Sequence, residues 1–114
     1  MNFDNYTIKT QQALQHAQQI AQEFEHQQIE NEHLYKGMQA VDQNVIPYLL
    51  KKLDVNSILL NQIIDKEIER FPKVSGSDQM LSKTLVKTLG DAVAISKKTV
   101  GEYVSIEDIF LALF

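Results

Sequence analysis

The stretch Val104-Ser-Ile-Glu-Asp-Ile-Phe-Leu-Ala-Leu-Phe114 decides the fold, because it echoes an earlier one, Ile29-Glu-Asn-Glu-His-Leu-Tyr-Lys-Gly-Met38. Offset by 75 residues, Ile29 meets Val104, Glu32 meets Glu107, His33 meets Asp108, Leu34 meets Ile109 and Tyr35 meets Phe110. The register extends backwards without a gap. Thr7 meets Ser82, Leu14 meets Leu89, Ala17 meets Ala92 and Ile20 meets Ile95. Two unrelated helices can share phase by accident. A long helix, its loop and the next helix sharing phase together indicate an internal repeat.

The apolar spacing is helical nearly throughout. Ala13, Leu14, Ala17, Ile20, Ala21 and Phe24 form one stripe, and glutamines cover the opposite face. That glutamine run reads as a solvated helix face, not a low-complexity tract, because the stripe is unbroken. Thr7 is the expected N-cap, since its hydroxyl can accept from an orphan N–H of the first turn. Asn31 is expected to cap a second helix with Leu34, Tyr35, Met38 and Val41 inward. Asn44 is expected to cap a third, with Pro47 in its first turn and Ile46, Leu49, Leu50 and Leu53 inward. A fourth runs from Asn56, with Leu60, Ile63, Ile64, Ile68 and Phe71 inward, and Pro72 ends it.

Lys73 to Gln79 is the one clear connector, holding Gly76 among turn formers. Beyond it Leu81, Leu85, Leu89, Ala92 and Ile95 make another long stripe, in which Gly90 suggests a close helix contact. Ser105 and Asp108 fit a capping box opening the last helix. The expected fold is all-α, a pseudo-twofold repeat of four-helix units. Residues 1–72 are the first repeat, 73–79 the connector and 80–114 the first half of the second. The apolar ending then reads as the middle of a repeat. It predicts that about 30 residues, two further helices, follow in a parent protein.

The totals exclude several function classes. Net charge is −4, which gives no basic surface for nucleic acid or anionic lipid. The chain has no cysteine, hence no disulfide, thiol nucleophile or cysteine-type zinc site. No apolar run approaches the ~20 residues that span a bilayer, and the first residues do not form a secretory signal. A cytoplasmic domain that contacts neither nucleic acid nor membrane is expected. Glu30 and His33 have the E-x-x-H spacing that can serve metals. A metal site needs three or four convergent ligands, and the second half has Ser105 and Asp108 there. No metal is expected, and His33 reads as a structural histidine.

Four segments resemble the Clp N-terminal domain family, a double repeat of four helices each. They are Phe3 to Ala21 (FDNYTIKTQQALQHAQQIA), Ile29 to Leu34 (IENEHL, the I-x-x-E-H-L signature), Val104 to Leu113 (its second copy) and Ile68 to Gly76 (IERFPKVSG). Thr-x-Lys-x-Gln-x-Ala-Leu at Thr7 to Leu14, with the Phe-Pro-Lys-Val-Ser-Gly connector, is most similar to the disaggregase branch. The resemblance implies a substrate-recognition domain of a hexameric AAA+ ATPase that threads aggregated protein through its pore alongside the Hsp70 system. ATP and magnesium would belong to ATPase modules elsewhere, since no G-x-x-x-x-G-K-[ST] loop is present. No cofactor and no catalysis are expected of this chain.

In the family, capture is linked to a groove between the repeats and to polar residues at helix starts. Thr7 and Glu107 match those positions, although a helix N-terminus favours both residue types anyway. A further acidic position aligns with Gly101, one residue before Glu102, so Glu102 carries over only with that shift. Ile106 is a separate suggestion: if exposed, it adds an apolar patch beside Glu107. Two rivals remain. One is an adaptor-docking domain of the family's protease-partner branch. The other is a helical enzyme using Glu32 and His33, which a strongly perturbed His33 beside a pocket would favour.

Overall fold

A computed structural model describes residues 3–74, 76, 78–98 and 103–114. Six helices occur among them: α1 (Ile8–Glu23), α2 (Asn31–Val41), α3 (Val45–Lys52), α4 (Ser57–Arg70), α5 (Lys83–Lys98) and α6 (Ile106–Leu113). None is long and apolar enough to cross a membrane. The fold is all-α apart from two short strands, β1 (Gln28–Ile29) and β2 (Met80–Leu81), which pair in parallel.

The repeat is built into the packing. Both ends of α5 lie 75 residues after those of α1. The buried set of α1 is Thr10, Ala13, Leu14, Ala17 and Ala21. The same offset carries it onto Leu85, Thr88, Leu89, Ala92 and Ser96, the buried set of α5. The strands obey the same rule with partners exchanged. Ile29 pairs with Leu81, and Tyr6 pairs with Val104 in an isolated parallel bridge. Moving Tyr6 forward by one repeat and Val104 back by one gives Leu81 and Ile29. A dimer-like dyad thus relates the halves, and each half's entry segment bonds to the other's.

The core is one contiguous cluster, with Leu34, Met38, Leu85, Leu89 and Ile109 wholly buried. Each such side chain contributes ~1.5–3 kcal/mol relative to exposure. Gly37 sets how closely α1 and α2 approach. A Cβ there would run into the Ala13 carbonyl and lie 3.0 Å from the Ala17 nitrogen.

Several expectations need correcting. Gly90 meets nothing within 4 Å of a built Cβ and is exposed, so the close helix contact belongs to Gly37. Leu53 and Ile63 point outward, because α3 and α4 are covered on one side only. The N-cap of α2 is Glu30, and Asn31 is already helical. Asn44 precedes α3 without a side-chain cap bond. The buried carboxylate of Asp42 does that work, accepting from Val45 N at 3.2 Å and Ile46 N at 2.8 Å. The sequence hides this because an aspartate three residues before a helix reads as loop.

Candidate functional site

Two regions gather chemistry. The first lies where the entry segments of α1 and α6 meet. Thr7 caps α1, its Oγ1 accepting from Thr10 N at 3.2 Å. Its own N–H donates to the Val104 carbonyl at 2.9 Å, and Val104 N–H donates to Asn5 at 2.8 Å. These bonds hold the N-termini of α1 and α6 side by side. Ser105 and Asp108 close the capping box of α6: Asp108 N donates to Ser105 Oγ at 3.2 Å, and Ser105 N to Asp108 Oδ2 at 3.0 Å. Capping therefore falls to those two residues. Glu107 is left exposed, with its carboxylate at the positive end of the helix dipole.

Glu107 forms the rim of an open cavity of about 400 Å³ lined also by Asn44, Val45, Tyr48 and Leu49. The cavity runs along the contact between α3 and α6. Its lining is mostly apolar, and Tyr48 is 60% exposed. Lys52 Nζ lies 5.6 Å from the centroid of that ring. A shallow apolar trough with one acid at its edge suits an extended apolar chain bearing a nearby cation.

Ile106 does not meet the condition of exposure. It is 5% exposed and sits in the core cluster, since the bridge at Val104 turns the first residue of α6 inward. The apolar contribution beside Glu107 comes instead from Val45, Tyr48 and Leu49 on α3. Sequence reasoning missed this because the α3–α6 contact is long-range. Glu102 and Gly101 lie outside the described residues.

The second region surrounds His33, at the start of α2. His33 replaces the carboxylate of the equivalent box in α6: its Nδ1 accepts from Glu30 N at 2.8 Å. Its Nε2 lies 2.9 Å from Nδ1 of His26. Burial, and then the neighbouring His26, push the His33 pKa down to about 4. Burial and then Lys73 lower that of His26. Burial raises that of Glu32. The Glu30–His33 pair is thus spent on capping a helix. No group of three metal-ligating side chains gathers among the described residues. His16 is exposed on α1. His33 is indeed perturbed, and a cavity is nearby, but the cavity is lined by His26, and Glu32 makes no bond to His33. The partners of both ring nitrogens account for His33 without catalysis.

The model of the Clp repeat (R) N-terminal domain family matches residues 5–114. Chaperone protein ClpB of Bacteroides thetaiotaomicron is 41% identical over 113 residues, which is 99% of this chain and 13% of that protein. The chain therefore spans about an eighth of the length of that curated relative. Among solved structures, the Hsp104 N-terminal domain from Candida albicans superposes with a TM-score of 0.84 at 18% identity, covering 96% of this chain and 73% of the other. The N-terminal domain of the ClpV1 ATPase from E. coli superposes with a TM-score of 0.88, also at 18% identity, covering 97% and 68%. At that identity the two structures speak for the fold alone.

Proposed function

The chain belongs to the Clp repeat N-terminal domain family, and on that premise we propose that it captures unfolded or aggregated protein for an ATP-driven disaggregase. Its similarity to ClpB along nearly the whole chain supports that parent over the protease-partner branch. The parent would be a cytoplasmic homohexamer that works with the Hsp70 system and keeps ATP and magnesium in its ATPase modules. This domain contributes binding and no bond chemistry.

The observation that carries the reading is the trough between α3 and α6. It offers Val45, Tyr48 and Leu49 as an apolar floor and Glu107 as a charged rim. Thr7 stands on the adjoining helix start, joined to α6 through Val104. Such a surface binds extended chains weakly and without strict sequence demand. Weak binding per domain suffices, because six copies on one hexamer raise the effective concentration. Ile106 serves beneath this surface as core.

Anisotropy of fluorescent casein, a soluble unfolded protein, tests the reading. Glu107→Gln keeps the capping box and should lower affinity ~3-fold to 10-fold, the ~1 kcal/mol scale of an exposed charge contact. Tyr48→Ala should lower it further. Thr7→Ser keeps the cap, so any loss reports contact and not helix fraying. Unchanged binding in Glu107→Gln and Tyr48→Ala would refute the site. No binding by the wild-type chain would refute direct capture and favour docking of a folded adaptor.

A further inference from the structure

A cavity of about 130 Å³ lies beside the connector, lined by His26, Gln27, Gln28, Glu30, Phe71, Pro72 and Val74. It shares no lining residue with the α3–α6 trough. Its chemistry follows from the direction of the hydrogen bonds that end there. Glu30 N–H can only donate, so His33 Nδ1 accepts and carries no proton. A neutral imidazole holds one proton, which must therefore sit on His33 Nε2. That nitrogen donates to His26 Nδ1. By the same rule His26 carries its proton on Nε2. The chain of donors runs Glu30, His33, His26, and ends on an N–H with no partner.

His26 is 1% exposed, and its Nε2 is one of two buried side-chain polar atoms without a hydrogen bond among the described residues. Its ring stacks near Phe24 and meets Phe71 edge-to-face at 5.5 Å, contacts that offer at best a weak π acceptor. A buried unsatisfied donor costs stability, and its persistence asks for a partner. The walls select that partner. Phe71, Pro72 and Val74 are apolar, which disfavours a strongly hydrated ion. Glu30 on the cavity wall and Lys73, bridged to His26, carry opposite charges that offset each other, so a neutral ligand is favoured over an anion, and the N–H disfavours a cation. Glu30 and the glutamine amides provide acceptors for a second, donating group.

We propose that this cavity binds a carboxamide, whose oxygen accepts from His26 Nε2–H while its N–H groups face Glu30, Gln27 or Gln28. The carboxamide is either the peptide unit of an extended chain or the side chain of an asparagine or glutamine. Nε2 is itself closed to solvent, so this bond requires the His26 ring or a neighbouring side chain to shift when the ligand enters.

The test is a long-range ¹H–¹⁵N correlation spectrum of the labelled 114-residue chain at pH 7.5, titrated with acetamide, N-methylacetamide and acetate in turn. Before ligand, His26 and His33 should both show the Nε2-protonated tautomer. Acetamide should move the His26 Nε2–H resonance saturably and leave exposed His16 in place, while acetate leaves all three in place. A response to N-methylacetamide as well assigns the peptide unit, and a response to acetamide alone assigns the side-chain amide. No saturable shift with either amide would overturn the proposal and leave the cavity to water. An equal response to acetate, or a matching shift of His16, would overturn it as well. Val74→Phe should fill the cavity, abolishing the amide response while keeping both tautomers. A persisting response in that variant places the amide elsewhere and also refutes the assignment. The casein assay does not report on this cavity, so the two readings fail independently.

Discussion

Replacing Gly37 by alanine sets two effects against each other, and the structure decides between them. Alanine favours a helix interior by ~1 kcal/mol over glycine. At Gly37 the new Cβ would overlap the Ala13 carbonyl oxygen and lie 3.0 Å from Ala17 N. Both are backbone atoms of α1, so no side chain can swing aside and the two helices must part. Overpacking of this kind costs ~1–3 kcal/mol. Separation also loosens the seat of Leu34 and Met38, both wholly buried, which adds ~1 kcal/mol. The net expectation is a loss of ~1–3 kcal/mol. For 114 residues the unfolding entropy at the midpoint is ~0.24 kcal/mol/K, so Tm should fall by ~4–12 °C.

Gly90→Ala is the control with the opposite sign. It is also inside a helix, but open space surrounds its built Cβ. The same propensity gain should then stand alone and raise Tm by ~4 °C. Differential scanning calorimetry of the three proteins reads both shifts. A Gly37→Ala protein that melts within ~2 °C of the wild type would refute the close α1–α2 contact. A Gly90→Ala protein that melts lower would refute the open environment assigned to that face.

Acid should weaken the fold before ordinary carboxylates titrate. The folded-state pKa of His33 is depressed to about 4 from 6.5, so the unfolded chain binds the proton more readily. Stability present at neutral pH is lost as pH falls below 6.5, and the loss levels off near 4. Urea midpoints should show ~2 kcal/mol lost between pH 7 and 5, with His26, lowered in the same direction, adding to the slope. A flat profile over that range would refute the buried, neutral pair. Asp42→Ala removes the acceptor for Val45 N and Ile46 N and should cost ~1–2 kcal/mol by urea denaturation. A change below ~0.3 kcal/mol would show that another group caps α3.

The sequence disclosed what periodicity and offset can carry. The stripe from Ala13 to Ala21 predicted which face of α1 is buried, and the 75-residue offset predicted the matching face of α5. Ser105 with Asp108 was legible as a capping box because both types are habitual there. Glu30 with His33 was not, because an imidazole rarely plays the acceptor. The strand pairing was invisible as well: two residues on each side are too few for a pattern of period two. The trough at Glu107 depends on α3 lying against α6, a contact between residues some sixty positions apart, about which local spacing is silent. Ile106 shows the same gap from the other side. Its position in the first turn is compatible with either face, and only the bridge at Val104 turns it inward.

The dyad also explains why the two candidate regions differ in kind. Each half uses the same device, a side chain three residues into the helix that accepts from the N-cap N–H. In α6 that acceptor is Asp108, 7% exposed, at a helix start whose neighbour Glu107 opens onto the trough. In α2 it is His33, wholly buried against His26 and Phe71. A carboxylate there would be charged in apolar surroundings, and desolvation would cost several kcal/mol. A neutral imidazole makes the same backbone bond without that cost, but its second nitrogen then needs a partner. His26 supplies it and passes the demand on to its own Nε2. The buried donor that ends at the connector cavity is thus a consequence of capping a helix with histidine. His33→Asp removes the chain of donors at its source and forces a charge into the same place. It should therefore lower urea-measured stability most at high pH and recover as the carboxyl protonates, the reverse of the wild-type pH slope. A wild-type-like slope in that variant would show that neither the burial nor the capping bond at residue 33 governs this end of the molecule.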